Sequence, residues 1–308
     1  MEDRRKEPKR KSSLRRREAL AGYAFISPWL IGFILFMAGP ILASFVLSFT
    51  RWNIVSAPKW VGLKNYIQIF TADPRFVQSL KATFLYAVRY LPLALIVALF
   101  VGMAMNIRVR GVGIFRTLFY LPYVVPAVAQ VLIWMWIFNP YFGLLNHILS
   151  KLGISGPNWL GNPFWAPWAI VIMSLWGVGG TAVVYLAGLQ NIPKHLYEAA
   201  MVDGANAWQR LRYITIPLLT PTIFFQLVIE LIGVFKTFTA PFIATQGGPL
   251  GSTYFYMLYI YQKAFVSMRM GYGSALAWIL TVIILAITIL VFRSSPYWVY
   301  YEAERRRR

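Results

Sequence analysis

Four stretches of this chain contain no charged side chain at all: those between Glu18 and Arg51, between Arg116 and Lys151, between Lys151 and Lys194, and between Arg269 and Arg293. Each is longer than the roughly 20 apolar residues that, at about 1.5 Å per residue, cross a hydrocarbon core of about 30 Å. Nothing in them alternates with the period of two that a membrane barrel strand requires. Only 13% of the 308 residues are charged and 58% are hydrophobic, so the chain must hide its surface in lipid rather than in water. The reading is an all-α integral membrane protein. Its six spans are placed at residues 22–49, 84–106, 117–137, 166–189, 218–243 and 271–292, between a basic arm (1–21) and a basic tail (294–308).

The net charge of +20 would suggest nucleic acid for a soluble protein. Here the cations flank apolar runs, where they set topology and meet lipid headgroups, so lipid and not nucleic acid is the expected partner. Twenty Lys and Arg fall on the side of the arm (Arg4 to Arg17), the second and fourth loops (Arg108, Arg110, Arg116; Lys194, Arg210, Arg212) and the tail (Arg293, Arg305 to Arg308), against eight on the other side. Both termini are therefore expected in the cytoplasm. A long charged region ahead of a long apolar run argues for an uncleaved first span rather than a secretory signal. The absence of cysteine excludes disulfides and thiolate metal sites, and the two histidines, His147 and His195, lie far apart.

The longest connection on the basic side, Lys194 to Pro217, exceeds what a helical hairpin needs. Leu196 to Val202 favours a short helix, Asp203-Gly204 a turn tolerant of positive φ, and Asn206 a cap on a second helix through Ile214, with Pro217 opening the fifth span. Small residues Ala199, Ala200, Gly204 and Ala205 leave a low surface that another protein can approach. Glu198 offers one charge to a basic partner.

Glu198-Ala199-Ala200, three residues, Gly204, nine residues, Ile214, one residue, then Ile216-Pro217 resembles the EAA loop of binding-protein-dependent ABC importer permeases. Ile216 stands where that motif has Leu. Gly62-Leu-Lys-Asn-Tyr66, Gly143-Leu-Leu-Asn146, Gly247-Gly-Pro249, Tyr259 to Phe265 and Gly273 to Ala277 are similar to pieces of the carbohydrate branch, the maltose- and glycerol-phosphate-type permeases. The resemblance implies a type I importer permease fold at the inner membrane and a loop that seats as a coupling helix in a cytoplasmic ATPase. It implies contacts at Glu198, Ala199, Ala200 and Gly204, flanked by Tyr197, Met201, Val202 and Asp203. Implied partners are two ATPase subunits that hold ATP and Mg, a second, non-identical permease, an extracytoplasmic binding protein, and a sugar or oligosaccharide, acidic ones included. The chain itself is expected to carry no cofactor and no metal, and to hydrolyse nothing.

For the pathway, Glu230 lies near the midplane of the fifth span, where an ionised side chain costs at least about 2.5 kcal/mol and demands a partner or water. Gln226, Glu230, Gly233 and Thr237 share one stripe of that span. Trp176, Gly177 and Gly180 of the fourth span are the expected facing surface, with Trp176 as a ring on which sugar can stack, and Gln130 of the third span is a further candidate. Arg89 and Lys236 are expected to snorkel toward the outer interface. Rival readings are an intramembrane enzyme and a secondary transporter. The chain lacks paired-carboxylate and HExxH motifs, and a phosphate-cradling Gly-x-x-x-x-Gly-Lys-Ser/Thr sequence, so ATP hydrolysis is assigned to another chain.

Overall fold

The computed structural model describes residues 11–107 and 109–300; the cations at Arg4 to Arg10, Arg108 and Arg305 to Arg308 lie outside them. In chain order the helices are α1 (Lys11–Phe33), α2 (Gly39–Ser48), α3 (Lys64–Ala72), α4 (Pro74–Met105), α5 (Val112–Val124), α6 (Ala127–Ile137), α7 (Leu144–Lys151), α8 (Trp165–Trp176), α9 (Gly179–Gln190), α10 (Lys194–Val202), α11 (Ala207–Arg210), α12 (Ile216–Phe235), α13 (Tyr256–Tyr261) and α14 (Met270–Trp298). A two-residue antiparallel pair, β1 (Thr50–Arg51) with β2 (Lys59–Trp60), closes the loop after α2.

Four continuous helical stretches, Arg15–Ser48, Pro74–Met105, Ala207–Phe235 and Met270–Trp298, are long and apolar enough to span a membrane. The pairs α5–α6 and α8–α9 bring the number to six when each is taken as one span. Both of these spans, the third and the fourth, are bent. Helices α5 and α6 meet at 100°, because Pro126 has no N–H to continue the ladder and drives Val125 into extended backbone at ψ 131°. Helices α8 and α9 bend by 49° at Gly177-Val178. The fifth span is also displaced from 218–243. It runs unbroken from Ala207 and stops at Phe235, so Pro217 lies within it rather than at its start. A π-turn over Leu211–Thr215 widens the coil just before Pro217, which relieves the clash a proline ring otherwise makes with the carbonyl four residues earlier. Another π-turn, Ile34–Ala38, precedes Pro40 in the first span.

Helix α4 is the centre of the bundle, packed on α8, α9 and α12, while α14 packs on α2 and α12. Its 32 residues reach about 48 Å, beyond the hydrocarbon core. The extra length lies at its N-terminal end, where a core of aromatic side chains assembles: Tyr86, Phe255, Tyr256, Tyr259 and Tyr272. Asp73 holds this end together. Its carboxylate accepts from the Arg75 N–H at 3.1 Å, capping α4, and from the hydroxyls of Tyr259 and Tyr272. Burial pushes the Asp73 pKa up, but the two tyrosine hydrogen bonds and the charge of Lys263 outweigh it and hold the group below its ordinary value. The connection after α6 is held by side-chain hydrogen bonds, with Asn139 accepting from the N–H of Tyr141 and Phe142 and Trp159 donating to Asn146 at 2.7 Å.

The α5–α9 crossing depends on Gly179. A Cβ placed there would stand 2.2 Å from the Phe119 carbonyl oxygen, a backbone atom that cannot rotate away. Gly179→Ala is therefore expected to lower thermal stability in nanodiscs by about 1–3 kcal/mol, whereas Gly113→Ala, with nothing within 4 Å, leaves it unchanged. For Asp73→Ala a loss of about 1–3 kcal/mol at neutral pH is expected. Because the folded pKa is depressed, that contribution is complete above the unfolded value of about 3.9 and disappears as pH falls through the folded one. The melting-temperature gap between wild type and variant should close below about pH 4.

Candidate functional site

The segment from Lys194 to Thr215 forms a knob at the end of the bundle opposite Asp73, beside the C-terminal end of α4. Its first helix, α10, ends in a two-bond cap: the Gly204 N–H reaches the Met201 carbonyl at 3.1 Å and the Ala205 N–H reaches the Ala200 carbonyl at 2.8 Å. That pattern is a Schellman motif, and it places Gly204 at the left-handed position, with φ +77°. The spacing of Gly204 from Ala200 is thus a statement about helix termination. Asn206 then opens α11 with a reciprocal capping box, accepting from the Gln209 N–H at 2.9 Å while its own N–H reaches Gln209 Oε1 at 2.7 Å.

One face of α10 is bound to the bundle and the other is free. Tyr197 shares a hydrogen bond of 3.0 Å with the buried Thr215 hydroxyl and packs beside Leu189, Ile192 and Leu219. Among the residues expected to contact a partner, Tyr197 is therefore the anchor. Glu198, Ala199, Met201, Val202, Asp203 and Gly204 are exposed, and Ala200 is half-buried. Val202 is 89% exposed and Met201 52%, an apolar surface uncovered within this chain. Helix α11, the π-turn and α12 are one continuous helix, and a turn at 203–206 connects α10 to it.

Within the bundle, Glu230 has partners. Its carboxylate accepts from Thr181 Oγ1 at 2.8 Å and from Tyr90 OH at 3.1 Å, linking α12 to α9 and α4. The stripe of four does not act as one surface. Gln226 is buried in the packing, Gly233 is exposed with open space around it, and Thr237 lies past the end of α12. Thr237 instead joins Gln130, Ser174 and Lys236 around a cavity of about 240 Å³ between α6, α8 and the segment after α12. Gly177 lies beside the Gln130 amide, Gly180 faces the Tyr123 ring, and Trp176 meets Trp134 edge-on with centroids 5.9 Å apart. Arg89 lies over the Trp168 ring, 5.2 Å from its centroid.

Tyr90, Thr181 and Ser174 belong to this polar interior and escaped the sequence reading, which weighed charges and stripes. Hydroxyl side chains in apolar runs are the only signal that points to them. Among the described residues no His, Asp or Glu group is arranged to hold a metal ion.

Residues 91–301 match the family described as binding-protein-dependent transport system inner membrane component. The probable ABC transporter permease protein YesP of Bacillus subtilis is 46% identical over 299 residues, covering 96% of each chain. The trehalose/maltose transport system permease protein MalF of Thermococcus litoralis is 34% identical over 285 residues, covering 92% of this chain and 96% of its own. In fold, the chain matches a subunit of a bacterial alginate ABC transporter solved in complex with an alginate pentasaccharide-bound periplasmic protein. The TM-score is 0.77 at 24% identity, covering 94% of this chain and 97% of that one. With most of its length matched, the chain belongs to the family of binding-protein-dependent transport system inner membrane components, as an ABC transporter permease.

Proposed function

We propose that this chain is the membrane-spanning subunit of an ATP-driven importer of a sugar or oligosaccharide. It forms half of the translocation pathway with a second, non-identical permease, receives its solute from an extracytoplasmic binding protein, and works by alternating access coupled to two separate ATPase subunits. The observation that carries this reading is the capped, exposed helix α10, joined through the turn at 203–206 to α11 and the fifth span. Glu198, Ala199, Ala200, Met201, Val202, Asp203 and Gly204 are the coupling surface, and Tyr197 fixes its angle. The charge asymmetry of the loops puts the knob and both termini on the cytoplasmic side. ATP and Mg belong to the ATPases. The relatives' names, a trehalose/maltose permease among them, support a saccharide.

The pathway wall in this reading is the polar interior around Gln130, Trp176, Gly177, Gly180, Glu230 and Thr237, with Gly233 open beside it and Gln226 supporting it from within. The cavity by Gln130, Ser174, Lys236 and Thr237 is the concave part of this wall. Hydroxyls and amides there exchange hydrogen bonds with a sugar as readily as with water.

Reconstitution of the chain in liposomes with its partner permease, two ATPases and binding protein tests the reading. Loaded binding protein should stimulate ATP hydrolysis. Glu198→Lys, which replaces an attractive interfacial charge by a repulsive one, should reduce that stimulation by about tenfold, a change of about 1.4 kcal/mol. Solute flux without any ATPase, or coupling unimpaired in Glu198→Lys, overturns the proposal. Gly204→Val forces a β-branched residue into left-handed backbone at a cost of about 1–2 kcal/mol or more; it should weaken ATPase co-purification, and Gly204→Asn should recover most of it.

A further inference from the structure

At the end of the bundle opposite the knob, a cavity of about 660 Å³ lies between the β1–β2 loop, α3 and the N-terminal turn of α14. Four cations line it, Arg51, Lys59, Lys64 and Arg269, and no carboxylate does. Like charges gathered in one concavity repel, and an anion that enters it relieves the repulsion and gains from every cation at once. The walls are built before any ligand arrives. The Asn65 amide donates to the carbonyls of Ser48 and Thr50 at 2.8 and 2.9 Å, fixing α3 to β1. The Arg269 guanidinium donates to Gln68 Oε1 at 3.1 Å and stacks 4.4 Å from the Tyr272 ring centroid.

We propose that this cavity receives an anionic oligosaccharide, its carboxylates held by Lys59, Lys64, Arg51 and Arg269 and a sugar ring stacked on Trp52; the assignment deepens, and rests on, the importer reading. The volume lies within the roughly 300–1,000 Å³ of small-molecule sites and far exceeds the needs of a simple inorganic anion. Aromatic faces and side-chain amides beside cations match a carboxylated polyol. An acyl chain finds no channel, since Val61 and Met268 are the only aliphatic side chains in the lining. The cavity is also at the end where solute arrives in an importer whose coupling surface is Glu198 to Gly204.

The test is calorimetric titration of the full chain with its partner permease, in nanodiscs of neutral lipid, with trigalacturonate and with maltotriose. Trigalacturonate is expected to bind and maltotriose not to. The double variant Lys59→Gln/Lys64→Gln, both exposed positions, should weaken trigalacturonate binding about tenfold, and the control Lys81→Gln/Lys151→Gln, outside the cavity, should leave it unchanged. Equal binding of the two sugars, equal loss in both double variants, or no binding overturns the proposal. So does phosphatidylglycerol that co-purifies with wild type but not with Lys59→Gln/Lys64→Gln and blocks the sugar, because the cavity is then a lipid headgroup site. ATPase stimulation by loaded binding protein, measured on the same wild-type assembly, reports separately on the importer reading.

Discussion

A carboxylate set among apolar helices has to be answered for, because polar groups left unsatisfied in a low-dielectric interior cost several kcal/mol each. Glu230 is answered by Thr181 of α9 and Tyr90 of α4, two of the helices that α12 packs against. The three helices α4, α9 and α12 are thereby tied at one point in a core where lipid is as apolar as leucine and burial alone selects no partner. The remainder of the bundle is arranged around this contact. Small residues let the neighbours close in, as at Gly179 against the Phe119 carbonyl.

The two ends of the bundle are held by different chemistry, suited to what each does. At the Asp73 end a carboxylate gathers Tyr259 and Tyr272 and caps α4 in the same stroke, so the extended helix, α13 and α14 form a rigid platform. At the other end the knob is held on one side only, through Tyr197 and Thr215, and its opposite side is left apolar and exposed. The π-turn at Leu211–Thr215 joins α11 to α12 without a break, so the half of the knob after the turn at 203–206 is part of the fifth span itself.

The resemblance of Glu198 to Pro217 to a family motif acquires a physical explanation from these bonds. Alanine at 200 supplies the carbonyl that the cap uses, and glycine at 204 supplies the backbone angle that makes the cap possible. What a motif records as spacing is the length of helix between the exposed Glu198 and the turn that stops the helix. Membership of the family, shown by residues 91–301 and by close relatives along nearly the whole chain, agrees with that local logic.

By itself the sequence determined the lipid-spanning class, the number of apolar segments, the capped turn at Asp203-Gly204 and the Asn206 cap. These follow from interactions a few residues long: hydropathy over a window, a missing Cβ, a side chain that reaches its own backbone. Tertiary structure alone decided that Pro217 lies inside a helix rather than at its start, and that Gln226 is packed away while Thr237 lines a cavity. It also decided that Glu230 is held by Tyr90 and Thr181, which stand 140 and 49 residues away along the chain. Periodicity places a residue on a face of a helix, but which neighbour covers that face depends on helix pairs meeting, and in a membrane the apolar pattern is uniform enough that many pairings would satisfy it. The polar contacts that choose among them are few, and they are long-range.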